Sequence, residues 1–417
     1  MLYEDNLPFA KQMDAQDPLR GFKDQFHFPK HHDGSDTLYF CGNSLGLQPK
    51  NTEGAIAEAL AHWRQYGVEG WFLSEKPWLS VHRDMSELAA PIVGAKPDEV
   101  VIMNTLTVNL HLLMVSFYRP TTQRFKILME AGAFPSDQYA VESQVRFHGL
   151  DPKIAIVEIK PRVGEDCLRT EDILQTIENE GDTLSLVLFG GINYYTGQFF
   201  DLQKITEGGH RVGARVGFDL AHAAGNVPLQ LHDWGVDFAV WCGYKYLNSG
   251  PGSIAGAFVH ERHFSDPHLP RFAGWWGYNE SKRFQMEAGF EPMHGAAGWQ
   301  ISTAQIIPVA MHQASLQLFK EAGGMPVLYE KAKTLTGYLA FLLGKSSYAF
   351  KIITPSVSTE RGSQLSVLTD ENGKKLFDYL AENGVICDWR EPNVIRLAPA
   401  PMYCSYEDVW RLGQLMK

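Results

Sequence analysis

Val236-Asp237-Phe238-Ala239-Val240-Trp241-Cys242-Gly243-Tyr244-Lys245-Tyr246-Leu247-Asn248 is the stretch on which the fold turns. An apolar, β-branched and aromatic run stops at a single lysine, and Gly250-Pro251-Gly252 then turns the chain. A lysine at the end of a buried strand serves stability poorly, because lysine is almost never fully buried without a partner. Desolvation favours the neutral, nucleophilic amine that a Schiff-base lysine needs. Taken alone, Lys245 reads more plainly as a salt-bridged lysine at a strand end. The balance shifts with what lies upstream.

Outward from this stretch, strands and helices alternate. The pattern predicts strands at Val100–Met103, Phe125–Met129, Ile154–Ile159, Leu184–Phe189, Arg215–Leu220, Asp237–Trp241 and Ser253–Val259. Helices are expected from Thr52 to Tyr66, with Ile56, Ala59, Leu60 and Trp63 inward, and from Trp78 to Val93. Others should run to about Tyr118, follow Ser136-Asp137, start at a Thr170 cap and stop at Gly181, and lie near Leu202–Gly208. This spacing predicts a mostly parallel, buried seven-stranded sheet flanked by helices, an α/β fold. After Trp299 two long helices, about Thr303–Ala322 and Met325–Leu343, lead into a smaller α/β unit with strands at Phe350–Ile353, Gln364–Leu368, Val385–Asp388 and Val394–Leu397. The expected organisation is an N-terminal segment (1–50) packing with the small domain, a large domain (51–305), and linking helices with the small C-terminal domain (306–417).

Composition narrows the function. The chain has 417 residues, 45% hydrophobic and 20% charged, enough for a large core. Its net charge is −11 with no basic block, which argues against nucleic acid. No apolar run is long enough to span a bilayer, and Met1 to Asn6 shows no secretory leader. The five cysteines form no CxxC and suit a reducing cytoplasm.

In open α/β sheets ligands bind beyond the carboxyl ends of the strands, so what each strand delivers there matters most. One strand ends in Asp219-Leu220-Ala221-His222. A desolvated carboxylate needs a cation or strong donor, and a protonated pyridine nitrogen would serve. His222 is expected to orient it; a structural Asp–His hydrogen bond or a metal pair are the alternatives, and no third ligand at suitable spacing supports metal. Asn104-Thr105-Leu106-Thr107 lies where a strand becomes a helix, a place that suits phosphate as well as simple capping. Phe134-Pro135-Ser136-Asp137 lies at another such junction, where Phe134 could stack on a planar ring or belong to the core. Singly, each has a plainer structural explanation. Together, a phosphate cradle, a stacking aromatic, a ring-protonating Asp and a Schiff-base Lys point to pyridoxal phosphate.

These residues also carry a resemblance. Gly42-Asn43-Ser44-Leu45-Gly46, Leu106–Met114, Ala133-Phe134-Pro135-Ser136-Asp137, Gly217-Phe218-Asp219-Leu220-Ala221-His222-Ala223, Trp234–Ala239, Tyr244-Lys245-Tyr246-Leu247-Asn248 and Pro392-Asn393-Val394-Ile395-Arg396 follow in family order. The chain resembles the kynureninase family, fold-type I pyridoxal phosphate enzymes of the aminotransferase superfamily. The resemblance implies hydrolytic Cβ–Cγ cleavage of L-kynurenine, or of 3-hydroxykynurenine. It implies Lys245 as the Schiff-base lysine, Asp219 on the pyridine nitrogen with His222 beside it, and Leu106, Thr107, Phe134, Pro135, Ser136, Asp137 and Tyr244 around phosphate and ring. Tyr244 is also the expected proton shuttle. Trp275 and Thr303 would reach the cofactor from the neighbouring subunit of a homodimer with shared sites, and Arg396, with Ser44, would take the substrate carboxylate. Three positions depart from the family: Gly190 where some members have a cofactor-contacting serine, Thr303 where some have asparagine, and Val68 where some have a histidine near the substrate ring. The last two favour plain kynurenine. Rival readings are another fold-type I lyase such as a cysteine desulfurase, which needs a catalytic cysteine in a mobile loop, and a non-catalytic pyridoxal phosphate-binding protein.

Overall fold

Phe238–Cys242 is the strand that the opening stretch predicts, and its neighbours explain its composition. In the computed structural model, which describes residues 2–73, 75 and 77–417, seven strands form one sheet. They are β1 (Val100–Ile102), β2 (Lys126–Glu130), β3 (Ile156–Ile159), β4 (Leu184–Gly190), β5 (Arg215–Asp219), β6 (Phe238–Cys242) and β7 (Ala255–Val259). Their order is β1-β7-β6-β5-β4-β2-β3. β3, β2, β4, β5 and β6 pair in parallel, while β7 runs antiparallel to both β6 and β1. Successive strand residues face opposite sides. Ala239 and Trp241 therefore enter one core and Phe238 and Val240 the other. A sheet covered on both faces needs apolar residues at every position, which is why the run is continuous rather than alternating. Because β2, β4, β5 and β6 share one direction, Glu130, Gly190, Asp219 and the Cys242–Lys245 turn all fall at one edge.

Asp237 secures the opposite end of β6. Its carboxylate is fully buried and accepts from Val216 N–H (2.8 Å), His210 Nε2 (2.8 Å), His263 Nε2 (2.7 Å) and Arg262 Nη2 (2.8 Å). Burial alone would raise this carboxyl, but the His210 and His263 hydrogen bonds and the Arg262 charge hold it well below the usual carboxylate range. A depressed carboxyl stabilises the fold above its unfolded-state range, near pH 4, and the contribution drains away as pH falls through the folded value. Asp237→Asn should therefore cost about 3 kcal/mol in urea unfolding at neutral pH, as for a broken buried ion pair. The gap to the parent should narrow only below about pH 4. An equal urea midpoint at pH 7 would refute this role.

A second, antiparallel sheet forms toward the C-terminus from β8 (Phe350–Ile352), β9 (Leu365–Thr369), β10 (Asp388–Arg390) and β11 (Val394–Leu397), in the order β8-β9-β11-β10. The N-terminal residues join this part of the chain. Leu38–Tyr39 pairs in parallel with Val385–Ile386, and Cys41 bridges to Ala398. Asp14 accepts the first N–H groups of helix Tyr406–Leu415 from Tyr406 (2.7 Å) and Glu407 (3.0 Å).

Four sequence expectations need correction. Ile154-Ala155 closes a helical turn, Pro152–Ala155, because Asp151 caps it through Lys153 N–H and Pro152 opens it. Arg169, not Thr170, is the N-cap of helix Thr170–Glu180; it makes no side-chain cap, and Glu171 and Asp172 complement the first turn instead. The first long linking helix is Ile306–Glu321 and leaves 303–305 outside. In helix Asn51–Tyr66 only Thr52 and Ala59 are buried, while Leu60 and Trp63 are exposed at 43% and 63%. Beyond Ala59 the described residues leave Leu60 and Trp63 uncovered. No helix among the described residues is long and apolar enough to cross a membrane.

Candidate active site

Past Cys242 the chain leaves the sheet through Gly243-Tyr244-Lys245 and turns back at Asn248, whose φ is +52° and whose N–H donates to Lys245 O at 3.0 Å. Asparagine tolerates this left-handed conformation better than most residues. Gly46 lies directly on the turn: its N–H donates to Tyr244 O at 2.8 Å, and a Cβ there would stand 2.4 Å from Lys245 O. Only glycine lets the Gly42–Gly46 segment close over the lysine this tightly.

Lys245 is buried, with 9% exposure. Its Nζ lies 3.1 Å from His222 Nε2 and 5.6 Å from the Phe134 ring centroid. Burial first, and the Lys245 charge second, hold the His222 imidazole well below its usual range. A neutral His222 accepts from Lys245 through Nε2, so Nδ1 carries the ring proton, and that atom is buried without a partner. The sequence placed His222 beside the Asp219 carboxylate as its orienting group. The structure instead sets its Nε2 on Lys245, and Asp219 Oδ1 accepts from the Ala221 N–H at 2.7 Å.

Three buried carboxyls line the same cleft as the lysine, from neighbouring elements. Asp219 ends β5, Glu130 ends β2, and Asp137 lies in the first turn of helix Pro135–Phe147. Burial raises Asp219. Burial and then the Asp219 charge raise Asp137 well above the carboxylate range. Burial pushes Glu130 up to about 7, against hydrogen bonds from its own N–H and that of Gly190. Asp137 Oδ1 has no hydrogen-bond partner. A cluster of buried carboxyls with an orphaned oxygen, whose charged forms lack a partner, matches a ligand that brings a cationic ring.

The other end suits an anion. Helices Leu106–Phe117 and Pro135–Phe147 both begin here, and neither has a side-chain cap on its first amides. Among the described residues the N–H groups of Leu106, Thr107 and Ser136 make no backbone hydrogen bond and point to where the helix dipoles favour negative charge, whereas Asp137 N–H already donates to Phe134 O at 2.9 Å. Thr107 Oγ1 and Ser136 Oγ, from the two first turns, meet at 2.8 Å. Asn104, with φ +50°, makes the turn into the first helix. Phe134 is half-exposed and packs edge-on to Tyr194 at 5.2 Å, leaving an aromatic wall between the two ends.

Leu106, Thr107, Phe134, Ser136, Asp137, Asp219, His222, Tyr244 and Lys245 thus line one cleft with an empty volume of about 600 Å³, part of it open to solvent. Pro135 opens its helix without lining the cleft. Trp275 and Thr303 do not line it either; both are exposed in this chain. Arg396 lies next to the cleft, buried. Its Nη1 donates to the carbonyl of the cleft residue Tyr194 at 2.7 Å, and its Nη2 to Ser44 Oγ at 3.1 Å and Asp388 Oδ2 at 2.5 Å. Its Nε has no partner. Sequence reasoning missed Asp388, Tyr194 and Glu130. Glu130 was within reach, since it ends a strand just as Asp219 does; nothing in the loop around Tyr194 signalled its part.

With this geometry in hand, relatives of the chain identify its family. The profile of the kynureninase C-terminal domain matches residues 328–416. The kynureninase of Flavobacterium johnsoniae is 57% identical over 100% of this chain and 99% of its own length, and that of Myxococcus xanthus 56% identical over 100% and 98%. The chain belongs to the kynureninase family. Among solved structures, a mutant of the cystine C–S lyase C-DES with glycine covalently linked to its PLP cofactor shares the fold with a TM-score of 0.77 at 18% identity, covering 92% of this chain and 97% of its own. A cysteine desulfurase from Thermococcus onnurineus does so with a TM-score of 0.74 at 16% identity, covering 91% and 94%. The expected fold-type I α/β architecture is therefore the one this kynureninase-family chain has. The departures Val68 and Thr303 both lie on the surface, away from the cleft of the same chain.

Proposed function

We propose that the chain is a pyridoxal phosphate-dependent kynureninase that hydrolyses the Cβ–Cγ bond of L-kynurenine, with water, to anthranilate and L-alanine. One observation carries this reading beyond family membership. A lysine, a ring-facing carboxyl, an aromatic wall and an anion cradle, delivered by separate strands and helices, line a single cleft.

Bound there, pyridoxal phosphate supplies an aldehyde for amines and a ring that accepts electrons. The chain's residues do the rest. The N–H groups of Leu106, Thr107 and Ser136, with the Thr107 and Ser136 hydroxyls, would hold the phosphate; Asp219 would keep a proton on the ring nitrogen; Phe134 would cover the ring face. Lys245 is the covalent anchor and, once released, the base that takes the substrate Cα proton. Arg396, held beside the cleft by Asp388 and Ser44, supplies the positive charge for the substrate carboxylate. Tyr244 moves a proton at the stage where water adds to the γ-carbonyl and the Cβ–Cγ bond breaks.

The cysteines disfavour a desulfurase. Cys242 and Cys404 are buried, and burial raises all five thiols, Cys41 and Cys167 to about 11. A desulfurase nucleophile needs a readily formed thiolate. Exposed Trp63, Val68, Phe72, Trp275 and Phe284 are consistent with a homodimer in which Trp275 completes the neighbour's site. Purified protein should be yellow, release fluorescent anthranilate from L-kynurenine, and elute at twice its 46.8 kDa chain mass. Cofactor-loaded protein that releases no anthranilate would overturn the reading.

A further inference from the structure

We propose that Glu130 is a cofactor-contacting residue of this chain, and that its carboxyl takes the place of the side chain that Gly190 lacks. This rests on the reading of the cleft as a pyridoxal phosphate site. β2, β4 and β5 are neighbours, and their last residues are Glu130, Gly190 and Asp219. Gly190 pairs in register with Asp219, so whatever occupies the space above Gly190 stands beside the ring-facing carboxyl. Glu130 occupies that space. Both its oxygens accept the Gly190 N–H, at 3.1 and 3.3 Å, and a Cβ built on Gly190 would lie 2.9 Å from Oε1. Real Cβ contacts are essentially never that short, so a side chain at 190 would push the Glu130 carboxyl out of this position.

The group is also expensive where it is. Glu130 is 4% exposed, its hydrogen-bond donors are backbone N–H groups, and like-charged Asp219 and Asp137 lie close by. A purely structural contact to one amide needs only a neutral acceptor, whereas an unpaired buried carboxyl penalises the fold. Glu130 borders the cleft, and in its neutral form has one O–H left to give. Its cost is repaid when a bound ring offers a polar partner.

The test titrates cofactor-free protein with pyridoxal phosphate and reads the dissociation constant from the visible absorbance. E130A should weaken binding at least about tenfold, the value of one lost hydrogen bond to a polar group. E130A/G190S, which restores a hydroxyl in the vacated space, should bind within about threefold of the parent, and E130A/G190A, which restores only volume, should not. G190A alone, whose Cβ displaces the Glu130 carboxyl and supplies no hydroxyl, should bind more weakly than the parent. It serves as the second reading if E130A fails to fold. Parental affinity in E130A or in G190A, or equal affinities for the two double variants, would overturn the proposal. A parent chain that itself captures no pyridoxal phosphate would overturn the reading of the cleft as well.

Discussion

Lys245→Ala protein is expected to lose at least about a thousandfold in anthranilate production, within the range that a positioned acid–base group supplies. The lysine has two tasks in the proposed scheme, and the substitution removes both. It deletes the amine that tethers the cofactor, so borohydride should no longer fix pyridoxal phosphate to the chain. It also deletes the base at the substrate Cα; His222 faces the same point, but burial holds its imidazole well below its usual range and leaves it a poor substitute. Truncation leaves His222 Nε2 without its partner and removes a charge that depresses the imidazole. His222 should therefore titrate higher in K245A than in the parent, which NMR can follow. Unchanged turnover, or borohydride labelling of a different lysine, would end the assignment of Lys245 as the anchor.

Asp219→Asn should lower turnover by about a hundredfold to a thousandfold while leaving the chain folded. Asparagine keeps the shape and can still accept from Ala221 N–H, but it cannot hold a proton on a ring nitrogen. The ring then loses its power to accept electrons, and the cofactor absorbance should shift with it. Stability should move the other way. Burial raises the Asp219 carboxyl, so in cofactor-free protein this group opposes folding above its unfolded-state range near pH 4. D219N removes that cost and one of the charges that raise Asp137. The cofactor-free variant should unfold at an equal or higher urea concentration at pH 7. A large loss of stability would instead mark Asp219 as a structural group. Full activity in D219N would remove it from the chemistry.

Much of this architecture is legible in the chain itself, for identifiable reasons. The strands betray themselves because a sheet covered on both faces demands unbroken apolar runs such as Phe238–Cys242, and polar residues stand out where those runs end. Asp219 and Lys245 were found that way, as were the helix-start hydroxyls of Thr107 and Ser136. Boundaries failed where local capping overrode the pattern: the Asp151 cap turned Ile154-Ala155 into a helix end. Burial failed at Leu60 and Trp63, because amphipathic spacing says which residues share a face and not whether anything covers it.

The residue types and their order therefore determined the strands, the edge at which they deliver polar groups, and the chemistry those groups can perform. Pairings across the fold were decided only by tertiary structure. His222 on Lys245 rather than Asp219, Asp388 on Arg396 and Glu130 in the space above Gly190 all join side chains from different elements. Sequence separation carries no information about such contacts. They exist because strand order and direction bring distant ends to one edge, and because desolvated polar groups must then find partners among whatever arrives there.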